Sequence, residues 1–188
     1  MGTIRSFIAI PLETGVVSRI EQTYKELKSL PADVKWVHPN AIHLTLKFLG
    51  NVEEKAVESI SRGTQEGIKG FASWTVDVKN VGTFPSLRNP RVVWIGIEDT
   101  GGHLVALQNR IEEEMAKLGF EREERKFSPH LTLGRVRSPR GKTELIQYLA
   151  DERERRFGEM KVDRVVLFKS ELRSSGAIYT ALGEFTFS

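Results

Sequence analysis

The tetrapeptide His-Leu-Thr-Leu occurs at residues 43–46 and again at 130–133, as HLTLKF and then HLTLGR, the copies lying close to half a chain length apart. Two copies are too few for a solenoid, whose core needs at least three stacked units. A pair of similar half-units related by a pseudo-twofold axis accounts for the echo instead. Successive side chains of a β-strand point to opposite faces, so His43, Thr45 and Lys47 are expected on one face and Leu44, Leu46 and Phe48 on the other. In the second copy His130 and Thr132 share a face, with Leu131 and Leu133 opposite. Leucines packed beneath helices leave the polar pairs lining a groove, facing each other across the pseudo-twofold.

The rest of the chain supplies the elements for such a pair of units. Residues 4–10 (IRSFIAI) read as a short buried strand, and Val16, Val17, Ile20, Tyr24 and Leu27 recur at helical spacing over 13–30, where Pro31 stops the helix. A strand over 42–49 is broken by Gly50-Asn51, and 52–68 reads as a helix. Residues 74–81 and 91–97 are expected as strands joined by the turn-rich TFPSLRNP. A helix over 103–118 closes at Gly119, the residue type that a helix C-terminus favours. A strand over 129–136, a short helix over 142–150, the solvated run DERERR and strands over 162–170 and 177–187 complete the chain. Strands alternating with helices predict an α+β or α/β sandwich with helices outside the sheets.

Nothing in the composition divides the chain: its 188 residues hold no low-complexity linker, so residues 1–188 are read as one domain. With 39% hydrophobic and 28% charged residues the chain is globular rather than disordered. The apolar run at residues 7–12 is too short for a signal-peptide core, and no stretch nears the ~18 apolar residues of a membrane span. A cytoplasmic, non-membrane protein is therefore expected. The net charge of +3 suits an anionic ligand without demanding one. There is no Cys, which excludes disulfides, iron–sulfur clusters and thiol nucleophiles.

Chemistry therefore falls to histidine, carboxylates, hydroxyls and cations. Packing alone would repeat the leucines but not both polar residues, so the repetition marks His43, Thr45, His130 and Thr132 as functional. Imidazole titrates near ~6.5, so at neutral pH one ring can accept a proton while another donates one, as phosphodiester cleavage requires. Thr45 and Thr132 are suited to donating hydrogen bonds to the non-bridging oxygens, where charge gathers in the transition state. Arg135, just beyond the second motif, offers a planar cation for phosphate or base. His38 and His103 lack a repeated context and read as surface or helix-start residues. No His-Glu-x-x-His spacing, Walker loop or Gly-x-Ser-x-Gly occurs, which disfavours a zinc hydrolase, an ATP-driven ligase and an α/β-hydrolase.

The two motifs, together with RSFIAI, WVHPNAIHLTLKFLG, FPSLRNPRVVWIGI, RKFSPHLTLGRVR and LFKSELRSSGAIYTAL, resemble the two-histidine (2H) phosphoesterase superfamily. Within it they are similar to the RNA 2′,3′-cyclic phosphodiesterases long called 2′-5′ RNA ligases. The resemblance implies an α+β fold, bilobal and pseudo-twofold, with two antiparallel-rich sheets, helices packed outside and a cleft between the lobes. It also implies hydrolysis of RNA 2′,3′-cyclic ends to 2′-phosphates, with reversible 2′-5′ joining in some members, and neither cofactor nor metal. His43 carries over as proton donor, His130 as proton acceptor, Thr45 and Thr132 as their catalytic companions, and Arg135, Phe48 and Phe7 as substrate-binding residues. Core packing is the competing reading of Phe7 and Phe48. RNA is the implied partner, with no membrane and no obligatory protein partner. Phosphodiesterases acting on 2′-5′ oligonucleotides or a small cyclic phosphate are the nearest alternatives. A non-catalytic RNA-binding module is the next, but binding alone would tolerate Lys or Arg at positions 43 and 130, whereas acid/base work calls for imidazole.

Overall fold

Alternating apolar residues build nine strands and four α-helices in the computed structural model, which describes residues 2–173 and 176–187. In chain order these are β1 (Thr3–Pro11), α1 (Thr14–Ser29), β2 (Val34–Trp36), β3 (His43–Glu53), α2 (Val57–Gly67), β4 (Trp74–Ser86) and β5 (Asn89–Glu98). They continue as α3 (His103–Lys117), β6 (His130–Val136), α4 (Lys142–Asp151), β7 (Arg156–Val162), β8 (Arg164–Arg173) and β9 (Gly176–Thr186). Ser174 and Ser175 of the closing LFKSELRSSGAIYTAL segment lie outside the described residues.

The fold is α+β, and every strand pairing described is antiparallel. The order β7-β4-β5-β6-β3-β1-β8-β9, with β2 added on β6, divides into two four-strand halves. These halves meet at one residue pair, Leu44 with Leu131, so the two expected sheets are continuous across a single seam. The halves also exchange strands: β4 and β5 lie between β7 and β6, while β8 and β9 return to the side of β1. Helices α1 and α4 pack on β7 and β4, and α2 and α3 pack on each other and on β9 and β3. Their apolar stripes, such as Val16, Ile20 and Leu27 of α1 and Leu104, Leu107, Ile111 and Met115 of α3, are fully buried. Each such side chain contributes about 1.5–3 kcal/mol of transfer free energy, so the helix side holds the core and the other face of the sheet stays open.

Three local expectations change. TFPSLRNP is mostly strand: β4 runs to Ser86 and β5 starts at Asn89, with Phe84 opposite Val92 and Pro85 opposite Pro90. A register shift between Phe84 and Pro85 accommodates proline, which the sequence pattern reads as a turn. Gly50-Asn51 bends β3 without ending it, because Gly50, at φ 72, sits beside a register shift against Ser6 and Phe7. The solvated run DERERR leads into an unexpected strand, β7. Its Gly158, at φ 90, interrupts the alternation that would have revealed it. Arg155 of the same run is half-buried and donates to Glu26 of α1 at 2.8 Å, beside a 2.6 Å bond from the Tyr148 hydroxyl.

Candidate active site

The two motifs share a distortion. On β3, Ala9 faces Thr45 and Ile8 faces Lys47, which leaves Leu46 as an extra residue. On β6, Trp94 faces Thr132 and Val93 faces Gly134, which leaves Leu133 extra in the same way. A β-bulge at the fourth motif position thus switches the parity of both strands. Lys47 consequently does not share a face with His43. It turns to the helix side, 6% exposed, where its ammonium donates to the Glu112 carboxylate of α3 at 2.7 Å and to the Glu121 carbonyl. Phe48 turns to the open face instead and is 62% exposed, against the expectation that it lies with the leucines and against a core role. Arg135, its counterpart in the second copy, is likewise exposed on the open face. Gly134 replaces a lysine at the buried position because β2 covers it: a Cβ there would meet Val34 Cγ1 at 2.6 Å and Trp36 Cε3 at 2.8 Å.

Before the bulges, the expected faces hold. Leu44 and Leu131 are buried at the seam, while His43, Thr45, His130 and Thr132 are half-buried on the opposite face. Antiparallel pairing of Leu44 with Leu131 sets Thr45 next to His130 and His43 next to Thr132. Each imidazole is therefore adjacent to the hydroxyl of the other copy, and the quartet straddles the seam.

Both rings are oriented in the same way. His43 Nδ1 lies 2.8 Å from the Ala41 carbonyl and His130 Nδ1 lies 2.7 Å from the Ser128 carbonyl, two residues back in each case. A carbonyl only accepts, so Nδ1 carries the proton and donates, and Nε2 is left with a lone pair. Phe7 is buried behind the site, stacked on the His43 ring at 4.6 Å, and Tyr179 meets that ring edge-on at 5.2 Å. Phe84 stands edge-on to His130 at 4.9 Å. Burial lowers the pKa of His43 against the opposing pull of the Ala41 carbonyl. It does the same at His130 against the Ser128 carbonyl, and the Arg135 charge adds to the lowering. Tyr179, Phe168 and Phe84 carry no repeated pattern, so the sequence offered no signal for them. His38 caps a 3-10 turn, accepting from Asn40 N at 3.3 Å, and His103 opens α3, as expected of helix-start residues.

Two imidazoles with available Nε2 atoms and two hydroxyls beside them can take up one proton, give another and hold charged oxygens between them. Among the described residues, no cluster of three or more His, Asp or Glu side chains gathers that could hold a metal ion. No helix among the described residues is long and apolar enough to cross a membrane.

Known proteins match nearly the whole length of the chain. Residues 16–173 match the model of the 2′-5′ RNA ligase superfamily. The chain is 36% identical to the RNA 2′,3′-cyclic phosphodiesterase of Methanothermobacter thermautotrophicus over 97% of its length and 98% of the relative's. It is 34% identical to the Thermotoga maritima protein of the same name, over 98% of this chain and 96% of that one. Among solved structures, a Thermus thermophilus protein superposes with a TM-score of 0.81 at 25% identity, covering 98% of both chains. E. coli LigT complexed with 3′-AMP shares the fold at a TM-score of 0.78 and 24% identity, over 100% of this chain and 99% of that one. Matched by a family model across both His-x-Thr strands, and by relatives along nearly all its length, this chain belongs to the 2′-5′ RNA ligase superfamily.

Proposed function

We propose that this protein hydrolyses RNA 2′,3′-cyclic phosphodiester ends to 2′-phosphomonoesters, with His43 as proton donor, His130 as proton acceptor and no metal or other cofactor. The observation that carries this reading is the seam pairing, which sets each imidazole beside the other copy's threonine on one open face. Relatives along the full length are named for the same activity. Water attacks phosphorus while His130 Nε2 takes its proton. The bond from phosphorus to the ribose 3′-oxygen breaks, and His43 gives that oxygen a proton. Thr45 and Thr132 hold the non-bridging oxygens, Arg135 pairs with the phosphate, and Phe48, exposed on the open face, contacts the nucleoside. Phe7 supports the His43 ring from behind. Reversible 2′-5′ joining follows the same path, with a ribose 5′-hydroxyl in place of water. Residues 1–188 act as one bilobal unit in this reading, working on RNA in the cytoplasm without an obligatory protein partner.

The direct test is to incubate the purified protein, in excess EDTA, with an RNA ending in a 2′,3′-cyclic phosphate. A 2′-phosphate product is expected. Activity lost on chelation and restored by a divalent ion would point to a metallophosphoesterase, and a 3′-phosphate product would reverse which oxygen leaves.

The lowered imidazole pKa values set the pH dependence. Both groups lie below the ordinary value of 6.5 in the free protein, so above that pH both rings are mostly neutral. The working form, with His43 protonated and His130 neutral, then becomes scarce as pH rises. The profile of kcat/KM is expected to be bell-shaped with its maximum on the acid side of ~6.5, the limbs reporting the pair rather than either ring. The maximum of kcat should lie higher, because a bound phosphate anion favours imidazolium. A kcat/KM maximum above about pH 7.5 would contradict this account.

A further inference from the structure

Beside His130 the open face deepens into a cavity of ≈370 Å³, lined among others by Lys79, Asn80, Phe84, Trp94 and Val105. The Trp94 indole forms its floor. A Cβ on Gly82 would come within 2.5 Å of indole Cζ2 and 2.6 Å of Cη2, and one on Gly96 within 3.4 Å of Cζ3, so two glycines let the ring lie flat on the strands. Phe84 stands over the same corner, 5.2 Å from the indole between ring centres. The indole N–H is buried beneath the ring's exposed face and has no acceptor among the described residues, so the ring offers its face rather than its nitrogen. Polar groups edge the space: the Lys79–Glu98 ion pair, and Asn80, whose φ of 67 is unusual for a residue with a side chain. A flat aromatic ring with donors and acceptors around it meets the two needs of a nucleobase, a stacking face and hydrogen-bonding edges.

We infer that this cavity is the subsite for a second nucleoside, the one whose 5′-oxygen occupies the position of the attacking water. The inference rests on the proposed roles of the two histidines. In an in-line displacement the nucleophile and the leaving oxygen lie on opposite sides of phosphorus. The nucleoside of the cyclic phosphate therefore lies on the His43 side, among Phe48 and Tyr179, and an incoming 5′-hydroxyl strand lies on the His130 side, where the cavity is. In joining, the 5′-oxygen bonds to phosphorus and its proton passes to His130. The bond to the 3′-oxygen breaks, and that oxygen takes the proton of His43. Cleavage of a 2′-5′ linkage reverses every transfer: the 3′-hydroxyl attacks, His43 receives its proton, and His130 protonates the departing 5′-oxygen. Hydrolysis of a cyclic mononucleotide places only water on that side and leaves the subsite unused.

Two substrates separate the uses: adenosine 2′,3′-cyclic phosphate, and a 2′-5′-linked adenosine dinucleotide that carries its second nucleoside on the 5′-oxygen. Trp94→Leu is expected to lower kcat/KM for the dinucleotide by about tenfold or more, the scale of losing one base–aromatic stack. Its kcat/KM for the cyclic mononucleotide should stay within about twofold of wild type, since no nucleoside reaches the ring. Trp94→Phe should keep most dinucleotide activity. Val105→Trp, placed at a residue 42% exposed on α3, should reproduce the split by narrowing the cavity without disturbing the core. Equal losses on both substrates would overturn the inference by placing the cyclic phosphate's own nucleoside in the cavity, and unchanged kinetics for both variants would overturn it as well. A wild-type protein that opens the cyclic phosphate but leaves the dinucleotide intact overturns the subsite alone. One that opens neither overturns the hydrolytic reading beneath it.

Discussion

His43→Ala and His130→Ala are each expected to lose at least ~10²-fold in kcat/KM toward a cyclic phosphate, with the far-UV circular dichroism spectrum unchanged. Each ring is half-buried and hydrogen-bonds only to a carbonyl two residues away, so its removal breaks no hydrogen bond between elements and costs only ring contacts with Phe7, Tyr179 or Phe84. Turnover near the wild-type rate in either variant would remove the central claim. The direction of transfer needs a second substrate, in which sulfur replaces the 3′ leaving oxygen. Sulfur departs with little help from an acid, so the variant without the proton donor should recover and the variant without the acceptor should not. Recovery of His130→Ala alone would exchange the two roles.

Lys47→Met is expected to cost about 3–5 kcal/mol of folding stability, the scale for breaking a buried ion pair from one side. The side chains of Lys47 and Glu112 are 6% and 7% exposed, and the carboxylate left behind would keep only Gln108 at 3.2 Å and the Glu123 amide at 3.3 Å. Urea unfolding should show the loss as a lowered midpoint at unchanged slope. The double replacement Lys47→Met with Glu112→Leu should regain most of it, since apolar groups of similar volume need no compensating charge. A single variant within about 1 kcal/mol of wild type would mean that water reaches the carboxylate left behind and the pair is not buried in solution.

The separate fates of Lys47 and His43 show where reading the sequence stops. Strand alternation placed His43, Thr45, His130 and Thr132 on one face, and the seam between Leu44 and Leu131 has them there. The bulges at Leu46 and Leu133 carry no residue signature, because leucine is as ordinary at a bulge as in a regular ladder. A strict period of two therefore sent Lys47 to the open face and Phe48 to the core, each to the wrong side. Short edge elements were lost for a different reason. β2 has three residues, too few to show a period, and β7 hides Phe157, Met160 and Val162 among charged neighbours. Long helices with full apolar stripes, α1 and α3, were legible almost to the residue. Tyr179 and Phe168 reach the His43 side from β9 and β8, so only tertiary structure reveals that they belong to it.

The bonds from Nδ1 to Ala41 and Ser128 also bear on how this chain tolerates mutation. Where a carboxylate side chain fixes the tautomer of a histidine, one codon change at that carboxylate can undo it. Here the acceptor is a main-chain oxygen, which every amino acid carries. Positions 41 and 128 already hold different residues, alanine and serine, around the same ring geometry. A saturation library at these two sites should accept most side chains that leave the strand approach undisturbed. Intolerance should be concentrated at the histidines themselves, leaving the flanking residues free to drift toward other demands.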